Sequence, residues 1–164
     1  MKQPIESLFT RARNLLRTKT NPPALTLPVS RRVKVLGLLA DERDRVLLRA
    51  AGSARDWEVT LAASYPEAHG LLEKTESPVV LCDRDLPQQD WWSAVESLAA
   101  CPHRACILLV SKVADDYLWN EIVRRGGYDV LSKPLQQDEL ERAVRLAFVY
   151  WNSTMNRATA PPTK

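Results

Sequence analysis

The chain contains few of the residues from which metal, redox and catalytic sites are usually built. Its 164 residues include three cysteines and two histidines. The cysteines (Cys82, Cys101 and Cys106) are odd in number and lack metal-ligand spacing, so we interpret them as reduced thiols of a cytoplasmic protein. His69 and His103 are isolated in the sequence, which argues against a histidine-based metal site or a catalytic histidine.

Long apolar stretches and glycine-rich loops are also missing. No segment approaches the roughly 20 apolar residues that a membrane-spanning helix needs, and the N-terminus has no apolar core of a signal peptide. Five glycines are present, and no glycine-rich loop follows the first predicted strand, which argues against a nucleotide- or flavin-binding domain. A globular domain with 45% hydrophobic and 26% charged residues remains.

Charge is distributed unevenly along the chain. Residues 1–34 contain eight Lys and Arg and one acid, a net charge of +7, whereas the remainder has 15 basic and 19 acidic residues, a net of −4. We predict that residues 1–30 form a basic amphipathic leader followed by a proline-containing linker. Three interpretations stay open for its short helix: it docks on its own domain or on a second copy, residues 5–17 contact an anionic membrane surface, or it is mostly disordered.

From residue 31 onward, short apolar runs alternate with helical patterns. Strands are predicted at 33–39, 57–62, 78–82, 105–110 and 128–131, and helices at 42–51, 66–74, 90–99, 114–125 and 137–151. Glycine at position 52 is expected to end the first helix. Strict alternation predicts an α/β fold, a flavodoxin-like doubly wound parallel sheet of five strands in the order 2-1-3-4-5 with helices on both faces. We expect one domain over residues 31–151 and a disordered tail over residues 152–164.

Chemically active side chains follow three of the predicted strands. Asp83 ends the third strand, Ser111 ends the fourth, and Lys133 follows the fifth. The carboxyl ends of parallel strands meet at one edge of the sheet, so we expect these side chains to converge there. A carboxylate beside a hydroxyl and an ammonium suits phosphoryl transfer onto the carboxylate, which attacks phosphorus while the other two groups neutralise phosphoryl oxygens. Such transfers usually also use Mg²⁺.

At these positions the chain resembles the receiver domain of two-component response regulators, over roughly residues 31–148. The sequence DRDLP at 83–87 matches the family's D-x-x-[ML]-P, and KPL at 133–135 matches its K-P-[FL]. The resemblance implies that Asp83 is the phosphoacceptor, Ser111 the switch hydroxyl and Lys133 the phosphate-binding lysine. It also implies a Mg²⁺ site to which Asp83 and the backbone carbonyl of Asp85 contribute.

The resemblance further implies a signalling module that is not an enzyme. A histidine kinase or phosphotransfer protein would phosphorylate Asp83. Because no output domain follows residue 151, we expect a stand-alone receiver that signals by binding an unknown output protein or by forming a homodimer. The family's usual output surface consists of its fourth helix, fifth strand and fifth helix, here residues 115–125, 128–131 and 139–150 (the α4-β5-α5 face). No direct nucleic-acid binding is expected, because no recognition motif accompanies the basic leader.

Three regions depart from the family pattern. Receivers usually carry two adjacent acids at the end of strand one, which hold Mg²⁺, but here residues 38–42 read LLADE. Two interpretations stay open: Asp41 and Glu42 reach the crevice and hold the metal, or Asp41 caps the first helix. Val130 replaces a frequent aromatic residue. Trp91 replaces a small one and either covers the site, forms a partner surface or packs on its own helix. These departures leave an alternative function open, a phosphorylation-independent pseudo-receiver that acts as an interaction module.

Overall fold

Strands and helices alternate throughout the described part of the chain. A computed structural model describes residues 32–87 and 89–158; the predicted leader (1–30) and the end of the predicted tail (159–164) lie outside the described residues. The elements are β1 (Lys34–Leu38), α1 (Glu42–Arg55), β2 (Glu58–Leu61), α2 (Tyr65–Lys74), β3 (Val79–Asp83), α3 (Trp91–Ala99), β4 (Cys106–Ser111), α4 (Asp116–Arg124), β5 (Asp129–Ser132) and α5 (Gln137–Ala158). No helix within these ranges combines the length and apolar character needed to cross a bilayer.

The strands form one parallel sheet in the order β2-β1-β3-β4-β5. This confirms the predicted flavodoxin-like topology. The chain moves outward from β1 to β2 and then returns across β1 to β3, so the strand order reverses between β1 and β3. In open α/β sheets the functional crevice lies at the carboxyl ends of the strands beside such a reversal.

Two apolar layers, one on each face of the sheet, hold the helices in place. Alternate strand residues supply them: Leu36 and Leu38 of β1 face one layer, and Val35 of β1 and Leu81 of β3 face the other. The first layer contains buried residues of α2, α3 and α4, and the second contains those of α1 and α5. Every residue of β3 and β4 is buried, as expected for central strands covered on both faces.

The first helix differs from its predicted bounds. It continues through Gly52 to Arg55 and ends at Asp56, which has a left-handed φ of 55°. A Cβ at Gly52 would lie 2.4 Å from Val59 Cγ2. The glycine therefore allows α1 to approach β2 closely and does not end the helix.

The last helix extends further than predicted. It continues past residue 151 to Ala158, and its indole at Trp151 is buried and donates to the His103 carbonyl at 3.0 Å. Ser153 and Thr154 donate their hydroxyl protons to carbonyls one turn earlier, at 2.9 and 3.2 Å. The polar composition that predicts a frayed tail is thus compatible with helix here, because these side chains bond to their own helix.

Candidate functional site

Asp83 is a fully buried carboxylate at the carboxyl end of the central strand β3. Its Oδ2 accepts a hydrogen bond from the Lys133 ammonium at 2.6 Å and from the Ala40 backbone N–H at 3.2 Å. Its Oδ1 accepts from the Asp85 backbone N–H at 3.1 Å. A buried charge is tolerated only when it is paired and hydrogen-bonded, and these three donors also fix the orientation of the carboxylate.

Lys133 reaches this carboxylate from the loop after β5. Its backbone N–H donates to the Ser111 carbonyl at 2.9 Å, which ties the loop to the end of β4. Burial alone would lower the pKa of the Lys133 ammonium, but its interactions with Asp83 and Asp44 outweigh burial and raise that pKa. The side chain therefore stays positively charged at neutral pH.

Ser111 is the last residue of β4 and is buried. In the register of the sheet Asp83 pairs with Val110, so Ser111 lies one position beyond Asp83 toward the carboxyl edge. Its Oγ accepts a hydrogen bond from the Val113 backbone N–H at 3.2 Å. The structure thus brings Asp83, Ser111 and Lys133 to the same edge, as the sequence predicts, with Lys133 in direct contact with Asp83.

Asp41 and Glu42 are engaged in local contacts instead of approaching Asp83. Asp41 is the N-cap of α1, and its carboxylate accepts from the Arg43 backbone N–H at 2.9 Å. Glu42 is exposed and pairs with Arg45 at 2.9 Å. Of the two interpretations offered by the sequence, the capping role of Asp41 corresponds to its position here.

A different acid, Asp44, contributes the second carboxylate near Asp83. It lies in the first turn of α1 and is 6% exposed. Its Oδ2 is 3.1 Å from the Lys133 ammonium, an ion pair without the geometry of a hydrogen bond. Asp44 is not among the site residues predicted from the sequence, although a signal exists. Asp44, Leu48 and Ala51 follow helical spacing on the buried face of α1, and an acid on an apolar stripe is a typical mark of a functional position.

Apolar side chains and an arginine occupy the end of strand one. Leu39 is buried in the layer that contains α1 and α5, and Ala40 carries no polar group. The Arg45 guanidinium donates to the Leu39 carbonyl at 2.8 Å and to the Ala40 carbonyl at 3.2 Å. A basic side chain therefore holds the loop that usually carries acids in the resembled family, and the first two residues of this loop, Leu39 and Ala40, have apolar side chains.

Trp91 and Val130, the other two unusual positions, are packing residues. Trp91 packs against the layer formed with α2, α3 and α4, with the Arg125 guanidinium 5.8 Å from its ring centre and Trp92 edge-on at 5.9 Å. Val130 is buried in the same layer. Trp91 thus contacts its neighbour Trp92 on its own helix and also packs beyond that helix, against the apolar layer and Arg125.

Oxygen donors at this edge suit a hard divalent cation. Within residues 32–87 and 89–158, no group of three or more His, Cys, Asp and Glu side chains is arranged to hold a metal ion. Mg²⁺ needs fewer protein ligands than that, because it usually retains water and binds through one or two carboxylates together with phosphate oxygens. The buried Asp44 Oδ2, which accepts no hydrogen bond, is a donor with unused capacity at this site.

Sequence comparison matches the chain to a known family of signalling domains. The response regulator receiver domain matches residues 40–145, more than half of the chain. The regulatory protein AtoC of Escherichia coli strain K12 is 28% identical over 112 residues, which cover 67% of this chain and 24% of AtoC. The chain therefore spans about a quarter of the length of that relative.

Solved receiver structures have the same fold. The signal receiver domain of an HD domain-containing protein from Pseudomonas fluorescens Pf-5 aligns with a TM-score of 0.71 and 25% identity, covering 81% of this chain and 98% of that one. The receiver domain of the sensor histidine kinase PA1611 from Pseudomonas aeruginosa PAO1 aligns with a TM-score of 0.63 and 22% identity, covering 73% and 99%. That structure has a magnesium ion coordinated in its active site cleft.

Proposed function

We propose that this chain, which belongs to the response regulator receiver domain family, accepts a phosphoryl group on Asp83 from a histidine kinase or a phosphotransfer protein. The observation that carries the proposal is the 2.6 Å contact between the Lys133 ammonium and the buried Asp83 carboxylate at the crevice of the sheet. Receiver domains are signalling modules, and we expect this one to pass on its signal by binding a protein and not by an enzymatic output. We also expect a cytoplasmic location.

The transfer requires few protein groups. An oxygen of the Asp83 carboxylate attacks phosphorus, a new P–O bond forms, and the bond from phosphorus to the donor breaks, leaving its electron pair on the donor. Asp83 then carries an acyl phosphate with about one additional negative charge. The Lys133 ammonium moves from the carboxylate to a phosphoryl oxygen, and the Ser111 hydroxyl donates to another. These shifts rearrange the ends of β4 and β5, which bias a two-state equilibrium.

The Mg²⁺ expected in this family would use oxygen donors of this edge. Asp83 and the backbone carbonyl of Asp85 are the proposed ligands, and they are hard donors of the kind that Mg²⁺ prefers. When bound, the ion would neutralise phosphoryl oxygens in the transfer. Asp41 and Glu42 are less suitable ligands, because a helix N-terminus and an arginine already engage them.

The signal would leave through the α4-β5-α5 face. Tyr117 on α4 is 74% exposed, and the rings of Tyr128 and Tyr150, the latter on α5, are tilted by 43° with centres 5.1 Å apart. Exposed aromatic residues are frequent anchors of protein interfaces. We therefore propose this face as the contact for an output protein or a second copy.

One observation favours a second candidate, the phosphorylation-independent pseudo-receiver. Leu39 and Ala40 place no acid at the end of β1, so the usual contribution of that strand to metal binding is missing. Such a domain would retain the fold and the α4-β5-α5 face as an interaction module without phosphorylation.

Phosphorylation with a small donor separates the two candidates. The full chain is incubated with Mg²⁺ and acetyl phosphate, and the adduct is measured by intact mass. We expect one phosphoryl adduct, which is lost in Asp83→Asn and retained in Asp90→Asn. Asp90 is the matched control because it is an exposed acid that also follows β3, and its side chain makes no cap hydrogen bond to α3. Absence of an adduct, together with absence of a beryllofluoride complex by ¹⁹F NMR, would establish the pseudo-receiver.

A further inference from the structure

We infer that Asp44 is the second carboxylate of the phosphoacceptor site and binds the divalent cation together with Asp83. It thereby replaces the acids that are missing from the end of strand one. This inference rests on the proposed role of Asp83 as phosphoacceptor. It assigns a ligand to α1, one helical turn after the loop in which the family resemblance places such acids.

The burial of Asp44 is the first argument. Its side chain is 9% exposed and shares the buried stripe of α1 with Leu48 and Ala51. A carboxylate in such a position costs free energy unless a cation or several hydrogen bonds compensate it. Oδ2 accepts no hydrogen bond, and its ion-pair partner Lys133 is shared with Asp83. Asp44 is thus a buried acid whose demand for positive charge is only partly met.

The position of a cation between the two acids is the second argument. The Lys133 ammonium lies 2.6 Å from Asp83 Oδ2 and 3.1 Å from Asp44 Oδ2. The ammonium therefore occupies a position at which both carboxylates stabilise positive charge. Two carboxylates and one ammonium have a net charge of −1, so the site can accept a further cation. The flexible four-carbon stem of lysine allows the ammonium to turn toward a phosphoryl oxygen.

The neighbouring acids are the third argument, because each has another role. Asp41 caps α1, and Glu42 is exposed and paired with Arg45 and Arg49. Leu39 and Ala40 have no donor side chain. In the described β1–α1 region, Asp44 is the acid whose carboxylate shares a cation with Asp83.

Metal titration of the unphosphorylated full chain tests the assignment. Mg²⁺ binding is measured by calorimetry and Mn²⁺ binding by electron paramagnetic resonance, in the wild type, Asp44→Asn and Asp41→Asn. We expect Asp44→Asn to lower the affinity for both ions at least about tenfold, within the range seen when the shell of a metal site is altered. Asp41→Asn, which removes an equal charge three residues away, should change it less than about threefold. An unfolding curve establishes that each variant is folded.

A rescue variant separates a ligand from a residue that only positions Lys133. Ala40 is adjacent to Asp83, because its N–H donates to Asp83 Oδ2 at 3.2 Å. Ala40→Asp returns an acid to the end of strand one, and we expect it to restore metal affinity to Asp44→Asn. Equal affinities of Asp44→Asn and Asp41→Asn would overturn the inference, and so would a wild-type chain that binds neither ion at millimolar concentration.

The titration gives its result without a phosphodonor, so it is distinguishable from the test of the proposed function. Metal binding that depends on Asp44, without an acetyl phosphate adduct, would refute phosphorylation and retain the ligand assignment. Conversely, Asp83 could form the adduct while Asp44→Asn and Asp41→Asn bind the metal with equal affinity. That result would support phosphorylation and refute the assignment of Asp44 as a ligand.

Discussion

Replacement of Lys133 by methionine removes the one ammonium that Asp83 and Asp44 share. Methionine retains an unbranched apolar stem of similar length, so the change deletes the charge and little of the packing. The two carboxylates then remain within reach of each other without a cation, since each lies within 3.1 Å of the former ammonium position. We expect the variant to fold with a clearly lower free energy of unfolding.

The size of the loss follows from burial. The side chains of Asp83, Asp44 and Lys133 are 0%, 9% and 12% exposed. Removal of one partner from a buried ion pair costs about 3–5 kcal/mol. The small exposure of Lys133 admits some solvent, so we expect the lower end of this range, about 3 kcal/mol at pH 7. For comparison, an exposed pair is worth about 1 kcal/mol or less.

The double variant Lys133→Met/Asp44→Asn tests whether repulsion between the carboxylates causes the loss. The amide is similar in shape to the carboxylate but uncharged, so we expect it to recover about 1–2 kcal/mol of the loss.

Urea denaturation followed by circular dichroism measures these quantities for the wild type, both single variants and the double variant. Lys74→Met provides the matched control, because Lys74 is exposed at the end of α2. Equal stability of Lys133→Met and Lys74→Met would refute the three-charge cluster. So would a double variant in which the two losses simply add.

Three further predictions concern packing and reactivity. Gly52→Ala should destabilise the fold by about 1–3 kcal/mol because its Cβ would lie 2.4 Å from Val59 Cγ2. Gly70→Ala is the control: nothing lies within 4 Å of its Cβ, so it should stabilise the fold by up to about 1 kcal/mol. Changes of the same sign in the free energy of unfolding, measured by urea denaturation, would contradict this prediction. Arg45→Ala removes the donor to two loop carbonyls and should cost about 1–2 kcal/mol, measured in the same way, and hydrogen exchange in the β1–α1 loop should increase. Burial raises the pKa of the Cys82 thiol to about 12. This thiol should therefore resist Ellman's reagent at pH 8 in the folded protein and react when the protein is unfolded. Rapid labelling of Cys82 in the folded protein, assigned by peptide mass, would contradict this prediction.

The layered fold could be predicted from the sequence because its signal is redundant. Each central strand is a continuous apolar run bounded by polar residues, and each helix repeats its apolar residues at helical spacing. An error of a few residues at a boundary leaves such patterns intact, so the strand order follows even though α1 and α5 end later than predicted. The same redundancy places Asp83, Ser111 and Lys133 at one edge, because each directly follows or ends a strand.

The second carboxylate has a weaker signal, because it depends on one acid in one helix. Helical spacing from Leu48 and Ala51 places Asp44 on the buried face of α1. The spacing does not show what an inward acid contacts, because its partner Lys133 comes from the loop after β5 and meets it only in the tertiary structure. Gly52 was misread for a related reason. Its contact with Val59 is tertiary, and glycine gives the same sequence signal whether it ends a helix or allows close packing.

From the charge of the site, we expect Asp44 to have opposite effects on the rate of Asp83 phosphorylation with and without metal. Without a divalent cation, Asp44 repels an incoming phosphoryl group, and two unit charges 4 Å apart at an effective dielectric constant of 20 repel by about 4 kcal/mol. With a cation bound, the same carboxylate helps to hold the charge that neutralises the phosphoryl oxygens.

Asp44→Asn should therefore lower the rate of acetyl phosphate labelling in Mg²⁺ and raise the residual rate in EDTA. The ratio of the two rates should fall at least about tenfold, equivalent to about 1.4 kcal/mol. Asp41→Asn should leave the ratio unchanged, because Asp41 faces the helix N-terminus. An Asp44→Asn ratio equal to that of the wild type would show that this acid neither repels the phosphoryl group nor binds the cation, and its burial beside Lys133 would then have only a structural role.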